Sequence, residues 1–229
     1  SWWLLGHRAS VKCIAWSSDG RRLASGSKDR SVRVWDSASG LELRALEGHR
    51  DTVVSVSWSG DGKRLASGSS DHSVVLWDVG SSQSLRVLAG HLGPVESVAW
   101  ASDGRLVVSG SKDGTLRLWD AASGETVRVL EVRGLHAISV AFTSDGSRLL
   151  CGGREDRLRV WDVESGRQLH GPDFAQDDAS SLPARAWSPD ASRFARERRN
   201  GGVWLWDTQS GQRLGVLEDS VGMIERLAW

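Results

Sequence analysis

The chain lacks several features that would assign it to a protein class at once. Its 229 residues include no tyrosine, one methionine, two cysteines and four prolines, and acidic and basic residues balance at 29 each. Two cysteines exclude a disulfide-rich scaffold and favour a reducing, cytoplasmic compartment. Zero net charge argues against a protein built mainly to bind nucleic acid or an anionic membrane. No apolar run approaches the ~20 residues of a spanning helix, so we expect no membrane insertion.

Tryptophan, by contrast, is abundant and regularly spaced. The pair Trp-Asp begins at positions 35, 77, 119, 161 and 206, so the first three steps are 42 residues and the fourth is 45. The pair Gly-His begins at positions 6, 48 and 90, with the same step of 42 residues. Two markers that share one period along the chain indicate an internal repeat.

Each repeat contains four short runs separated by turn signals. The first run alternates in polarity and ends in an aromatic residue, as in Val11 to Trp16, Val53 to Trp58 and Val95 to Trp100. A turn such as S-S-D-G follows, then a second run (R-L-A-S-G-S), a third ending at Trp-Asp and a fourth such as L-E-L-R-A-L. Alternating runs of this length, rich in β-branched residues, are typical of strands. No segment of ten or more residues has helical apolar spacing, so the sequence predicts an all-β fold of four-stranded antiparallel sheets.

The pattern G-H…L-A-S-G-S-x-D…V-x-V-W-D resembles the WD40-repeat family over essentially the whole chain. The resemblance implies a β-propeller of four-stranded blades. We expect one domain over residues 1–229, with five complete blades near 8–47, 50–89, 92–131, 134–171 and 180–218. Partial strands at 1–5 and 222–229 would belong to an incomplete sixth blade. The propeller is therefore expected to be open or incompletely closed, the chain to be a segment of a longer WD40 protein, and the isolated segment to self-associate.

The resemblance also implies a buried hydrogen-bonded tetrad of histidine, serine, aspartate and tryptophan in each regular blade. A buried carboxylate is costly unless donors satisfy it, which is the physical reason for such a set. The Ser/His/Asp trio alone would suit a hydrolase, but its recurrence in register with a tryptophan favours a structural role. The predicted tetrads are His7, Ser25, Asp29 and Trp35; His49, Ser67, Asp71 and Trp77; and His91, Ser109, Asp113 and Trp119.

The fourth and fifth repeats depart from this pattern. Cys151 replaces the serine of the fourth tetrad, and Glu155 replaces its aspartate. The fifth repeat has Arg196 and Asn200 in those two positions. We expect these two blades to be the more mobile part of the domain, because they lack the complete network.

Partner-binding positions are carried over from the family to the face that bears the Gly-His loops. Four of the five residues that precede the tight-turn aspartate are basic, which suggests a positive rim for an acidic or phosphorylated partner. Solvated turn charges without a partner are the alternative. The candidate positions are Lys28, Ser70, Lys112, Arg154 and Arg199 before the aspartate, Ser10, Thr52 and Pro94 at the third place after the histidine, and Lys12 and Glu96 at the fifth.

Three functions from different classes are compatible with these residues. A non-catalytic protein–protein interaction scaffold is favoured. A sensor or regulatory WD40 domain, fused to an enzymatic or signalling module such as an NTPase or kinase outside this segment, is the alternative. A propeller enzyme would need a non-repeated acid, base or metal cluster, and no such motif is found, so no catalytic residue, metal or cofactor is predicted. The expected partner is a protein or peptide rather than nucleic acid or a small-molecule substrate.

Overall fold

A computed structural model describes residues 5–132, 137–153, 158–169, 185–188, 192–197, 203–207 and 212–217. These residues form strands, turns and loops and no helix, and the strands build five separate four-stranded sheets. In every sheet the strands lie side by side in chain order and each pair is antiparallel. The predicted all-β fold of four-stranded antiparallel blades is confirmed.

The strands follow the predicted runs closely. Blade one contains β1 (Val11–Trp16), β2 (Arg22–Ser27), β3 (Ser31–Asp36) and β4 (Glu42–Glu47). Blade two contains β5 (Val53–Trp58), β6 (Arg64–Ser69), β7 (Val74–Asp78) and β8 (Gln83–Leu88), and blade three contains β9 (Val95–Trp100), β10 (Leu106–Ser111), β11 (Thr115–Asp120) and β12 (Thr126–Glu131). Blade four contains β13 (Ala137–Phe142), β14 (Arg148–Gly153), β15 (Leu158–Asp162) and β16 (Gln168–Leu169). Blade five contains β17 (Arg185–Trp187), β18 (Arg193–Glu197), β19 (Val203–Asp207) and β20 (Arg213–Leu217).

The turn between the first and second strands of a blade is closed by its aspartate and glycine. In blade one, Gly20 has a φ of 67°, a conformation that glycine adopts without steric cost. The Asp19 carboxylate accepts hydrogen bonds from Ser17 Oγ at 2.6 Å and from the Arg21 backbone N–H at 3.0 Å. The S-x-D-G signal is therefore a local device that reverses the chain and sets the register of the hairpin.

The hydrophobic core lies between consecutive sheets rather than within any one of them. One cluster joins blades one and two, with Val32 and Val34 from the first packed with Val53 and Trp77 from the second. Corresponding clusters join blades two and three, three and four, and four and five. Because blade two packs against blade one on one face and blade three on the other, its central strands β6 and β7 are almost continuously buried.

In addition to this apolar packing, arginine side chains form hydrogen bonds between blades one and two, two and three, and three and four. Near the inner strands, Arg22 donates to the Gly62 carbonyl at 2.8 Å and Arg64 donates to the Gly104 carbonyl at 3.1 Å. On the outer strands, Arg44 donates to the Gly80 carbonyl at 3.3 Å and Arg86 to the Ala122 carbonyl at 3.0 Å. Arg128 continues the outer series by donating to the Glu164 carbonyl at 2.8 Å. These five arginines are called the inter-blade arginines below.

Several predictions fall outside the described residues. The partial strands expected at 1–5 and 222–229 lie there, apart from Leu5, which is in a loop. Glu155 and Asn200 of the irregular repeats also lie there, and the mobility expected of blades four and five stays a prediction. In the described part of the chain, no helix is long and apolar enough to cross a membrane.

Candidate functional site

Each of the first three blades holds its four predicted side chains in one hydrogen-bonded chain. In blade two, Trp77 Nε1 lies 2.7 Å from Ser67 Oγ, which lies 2.7 Å from His49 Nε2. On the other side of the imidazole, His49 Nδ1 lies 3.0 Å from Asp71 Oδ2. The structure thus brings together His7, Ser25, Asp29 and Trp35; His49, Ser67, Asp71 and Trp77; and His91, Ser109, Asp113 and Trp119.

Each contact in this series of hydrogen bonds has a donor and an acceptor that follow from the chemistry of the four side chains. An indole N–H can only donate, so Ser67 Oγ accepts from Trp77, and with the His49 proton on Nδ1 the serine hydroxyl donates to His49 Nε2. His49 Nδ1–H then faces Asp71. Burial lowers the pKa of His49 below its ordinary value, although the neighbouring Asp71 charge acts in the opposite sense. A neutral imidazole with its proton on Nδ1 satisfies all these contacts.

The aspartate receives more donors than the histidine alone. Burial by itself would raise the pKa of Asp71, but hydrogen bonds from the Ser73 hydroxyl and the Arg50 backbone N–H, together with the His49 contact, lower it to about 2. The two hydrogen bonds measure 2.6 Å from Ser73 Oγ and 2.7 Å from the Arg50 N–H. Asp71 is therefore ionised at neutral pH. It joins the Gly-His loop to the turn between β6 and β7.

Sequence reasoning missed the hydroxyl donor to the aspartate. Ser31 and Thr115 take the same place in blades one and three, at 2.6 Å and 2.7 Å from their aspartates. The signal was present as a serine or threonine two residues after each tight-turn aspartate, in D-R-S, D-H-S and D-G-T. Each regular network therefore contains five side chains rather than four.

The Ser/His/Asp geometry has the distances of a nucleophile, base and orienting acid. Its surroundings differ from those of a reaction centre, because Ser67 and Ser109 are fully buried. Each serine oxygen also accepts the hydrogen bond of a buried indole. No substrate carbonyl can reach such an oxygen without opening the blade. The hydrogen bonds of the tetrad instead hold the Gly-His loop against the turn between the second and third strands.

The candidate partner-binding positions lie together at the end of the sheets that bears the Gly-His loops, called the Gly-His face below. Backbone hydrogen bonds join them in pairs, at 3.0 Å from Lys28 N to Ser10 O, 2.9 Å from Ser70 N to Thr52 O and 3.0 Å from Lys112 N to Pro94 O. Arg154 and Arg199, the remaining candidates before the aspartate, lie outside the described residues.

Charge on the Gly-His face differs from blade to blade. In blade three, Lys112 Nζ lies 3.0 Å from Glu96 Oε1, so its charge is matched within the blade. The repeat places Lys12 of blade one at the position of Glu96 in blade three, and Lys28 at the position of Lys112. Within the described ranges, neither Lys12 nor Lys28 has an ion-pair partner. Among the candidate positions of the first three blades, which the structure describes, the positive charge without an ion-pair partner therefore lies on blade one.

Two further basic residues extend this charge. Arg8 follows the histidine of blade one, and Arg30 follows its tight-turn aspartate at a φ of 72°. Both side chains are exposed, as is Lys28, whereas Lys12 is half-buried. Lys12, Lys28, Arg8 and Arg30 are called the basic cluster below.

The repeat pattern described as "WD domain, G-beta repeat" matches residues 3–36, 40–78, 82–120 and 124–162. The chain belongs to the WD40-repeat family. This WD40 protein also resembles the solved structure of U3-55K, with a TM-score of 0.81 and 24% sequence identity. The resemblance covers 94% of this chain and 66% of that one, and it shows the shared fold.

Curated relatives of this WD40 protein match over single repeats. Vegetative incompatibility protein HET-E-1 of Podospora anserina is 54% identical over 37 residues, which is 16% of this chain and 3% of that protein. The Intraflagellar transport protein 122 homolog of Homo sapiens is 53% identical over 34 residues, or 15% of this chain and 3% of that protein. The probable cytosolic iron-sulfur protein assembly protein 1 of Kluyveromyces lactis is 50% identical over 32 residues, or 14% of this chain and 10% of that protein. WD40-repeat proteins generally mediate protein interactions.

Proposed function

We propose that this WD40 protein is a non-catalytic, intracellular scaffold that binds an acidic or phosphorylated peptide segment on the Gly-His face, at blade one. The observation that carries the proposal is the difference in charge between equivalent positions. Lys112 is neutralised by Glu96, whereas Lys12 and Lys28 occupy the same two places without a carboxylate between them.

The backbone that carries Lys28 is held in place by hydrogen bonds, which makes this part of blade one suited to recognition. Lys28 belongs to the tight turn that Asp29 fastens to the Gly-His loop, and its backbone N–H donates to Ser10 at 3.0 Å. A rigid backbone reduces the entropy lost when a partner binds. Two adjacent cations on such a backbone favour a carboxylate or phosphate group, since charge-assisted hydrogen bonds are stronger than neutral ones.

The tetrads support a non-catalytic role. Their serine oxygens are buried, and their aspartates are held ionised by several donors. The role that these residues support is to hold loops in place, so that the exposed residues between them present a fixed surface.

A direct test uses fluorescein-labelled deca-glutamate as the probe and fluorescence anisotropy as the measurement. The double substitution Lys12→Glu with Lys28→Glu is expected to weaken binding at least tenfold. Binding by the unaltered chain should fall as salt is added, because exposed charges are screened. Lys63→Glu with Arg105→Glu is the matched control, since it makes the same change in net charge at two exposed residues, in the β5–β6 and β9–β10 turns at the opposite end of the sheets.

Two results would contradict the proposal. Binding that survives the double substitution would show that blade one is not the site. An equal loss on Lys63→Glu with Arg105→Glu would show that only net charge matters.

The regulatory-domain alternative is favoured by one observation. The matching segments make up 3% of HET-E-1 and 3% of the human Intraflagellar transport protein 122 homolog, so repeats of this kind occur within much longer proteins. A full-length transcript that encodes an NTPase or kinase module beside these repeats would decide for this alternative. The peptide-binding experiment applies equally to both.

A further inference from the structure

Blades one and three carry an arginine at the same position of the third strand, and these two arginines differ in their surroundings. Arg33 of β3 and Arg117 of β11 are equivalent residues of the repeat. In blade one, Arg33 Nη1 donates to Glu42 Oε2, and the two side chains are only 14% and 32% exposed. In blade three, Thr126 stands at the position of Glu42, since each lies opposite the tetrad tryptophan of its blade. The carboxylate that neutralises Arg33 therefore has no counterpart at this position beside Arg117.

The glycine of the Gly-His loop marks the same place in both blades. A Cβ atom on Gly6 would lie 2.7 Å from Glu42 Oε2 and 2.9 Å from Arg33 Nη1. A Cβ atom on Gly90 would lie 2.8 Å from Arg117 Nη1, and the next nearest atoms belong to Arg117 and Trp119. The two guanidinium groups thus lie alike against their loops, and the carboxylate is what differs.

The positive charge of Arg117 is not compensated. In the part of the chain that the structure describes, Arg117 forms no ion pair. Burial lowers the pKa of His91 against the pull of Asp113, and the charge of Arg117 lowers it further. A cation that is partly removed from water is costly unless an anion accompanies it.

The Arg117 side chain is also held in one orientation. Its Nε atom is buried without a hydrogen-bond acceptor, and its guanidinium carbon lies 5.8 Å from the centre of the Trp119 ring. The side chain as a whole is half-buried, and Thr126 is exposed, so solvent reaches the place of the missing carboxylate. A side chain that is already ordered loses little entropy when it binds a ligand.

We propose that Arg117 binds the carboxylate of an acidic side chain on a partner protein, in the place that the Glu42 carboxylate takes in blade one. The chain itself supplies the template for this ligand, because its own solution at the equivalent arginine is a glutamate on a neighbouring strand. The planar guanidinium matches a carboxylate in shape and charge. The inference does not rest on the peptide-binding proposal, since Arg117 belongs to blade three and the basic cluster to blade one.

Nuclear magnetic resonance of the arginine Nε–H groups tests the site directly in the ¹⁵N-labelled chain. The Nε atoms of Arg33 and Arg117 are both buried, so their protons exchange slowly with water and give separate signals. Arg33→Lys and Arg117→Lys assign them. The probe is glutamate capped as N-acetyl-glutamate N-methylamide. Its addition should shift the Arg117 signal to saturation and leave the Arg33 signal in place, because Glu42 already fills that site.

A substitution that supplies the carboxylate from within the chain should close the site. Thr126→Glu is expected to move the Arg117 signal towards that of Arg33 and to weaken the response to the probe by about tenfold or more. Ser84→Glu is the matched control, with the same change in net charge. Ser84 lies at the same position of blade two, where Val75 replaces the arginine, so the Arg117 response should be unchanged.

The opposite substitution should open a second site. Glu42→Gln removes the internal ligand, so the Arg33 signal should then respond to the capped glutamate as Arg117 does. Near-ultraviolet circular dichroism shows that each variant is folded.

Four results would overturn the proposal. One is an Arg117 signal that does not respond to capped glutamate in the unaltered chain. Another is a response that persists at full strength in Thr126→Glu, because the probe would then bind elsewhere. An equal response to chloride or inorganic phosphate at the same ionic strength would indicate a site for anions in general. A larger response to succinate at equal carboxylate concentration would indicate a free dicarboxylic acid rather than a protein side chain.

Discussion

Replacement of Ser67 by alanine tests the tetrad at its most connected atom. Ser67 Oγ is fully buried and bonds both the Trp77 indole and the His49 imidazole, each at 2.7 Å. The substitution leaves one donor and one acceptor buried without partners. Each costs about 1–3 kcal/mol. Since both losses come from one change and part of each is relieved by relaxation, we expect a loss of about 2–4 kcal/mol in the free energy of unfolding.

Urea denaturation followed by near-ultraviolet circular dichroism measures this loss. With a slope of ~3 kcal/mol/M for a chain of this size, the midpoint should fall by about 1 M. Ser10→Ala is the matched control, because Ser10 is exposed on the same face of the molecule. Its midpoint should not change measurably.

A double-mutant cycle sharpens the prediction. Trp77→Phe removes the indole donor, so Ser67→Ala should cost less in that background than in the unaltered chain. Either of two results would refute the claim that the serine links the two rings. One is a decrease in the urea midpoint of less than about 0.3 M for Ser67→Ala, and the other is strict additivity of Ser67→Ala with Trp77→Phe.

Two further predictions concern acid and packing. The pKa values of His49 and Asp71 both lie below their ordinary values in the folded chain. The contribution of these two groups to the free energy of unfolding is therefore complete above pH 6.5 and is lost as the pH falls. The histidine's share is lost first, and the aspartate's share is lost between pH 3.8 and about 2. A urea midpoint that is higher at pH 5 than at pH 7 would contradict this sign. Gly68→Ala should lower the urea midpoint by about 0.3–1 M, since overpacking costs ~1–3 kcal/mol and Val95 Cγ1 lies only 2.7 Å from the position of the added methyl group. Gly215→Ala, where space is open, should have no such effect.

The repeat spacing predicted most of the local structure because the information is local. Alternation from Val53 to Trp58, followed by S-G-D-G, is enough to define a strand and its turn, and the structure has β5 at those residues. The grouping of His49 with Asp71 came instead from the resemblance to the WD40-repeat family, because a contact between residues 22 positions apart has no local signal.

What the sequence could not predict depends on neighbours in space. Trp16 and Trp58 stand in the same motif, yet their burial differs because a blade lies over one and not over the other. The ion pair between Lys112 and Glu96 was missed because the two residues were assigned to separate classes of contact position. Their proximity follows only from the pairing of β9 with β10, across which the two side chains meet.

The inter-blade arginines have a consequence for how such a chain can change over time. Every one of them donates to a main-chain carbonyl, and the residues that own these carbonyls are as different as Gly80, Ala122 and Glu164. Since the acceptor is the peptide group, replacement of the accepting side chain leaves the hydrogen bond in place. The accepting residues of the outer series, at positions 80, 122 and 164, are therefore free to diversify one at a time without a compensating substitution in the adjoining repeat. Gly62 and Gly104 are not, because an added Cβ would lie 3.0 Å from Arg22 Nη2 and 2.8 Å from Arg64 Nη2.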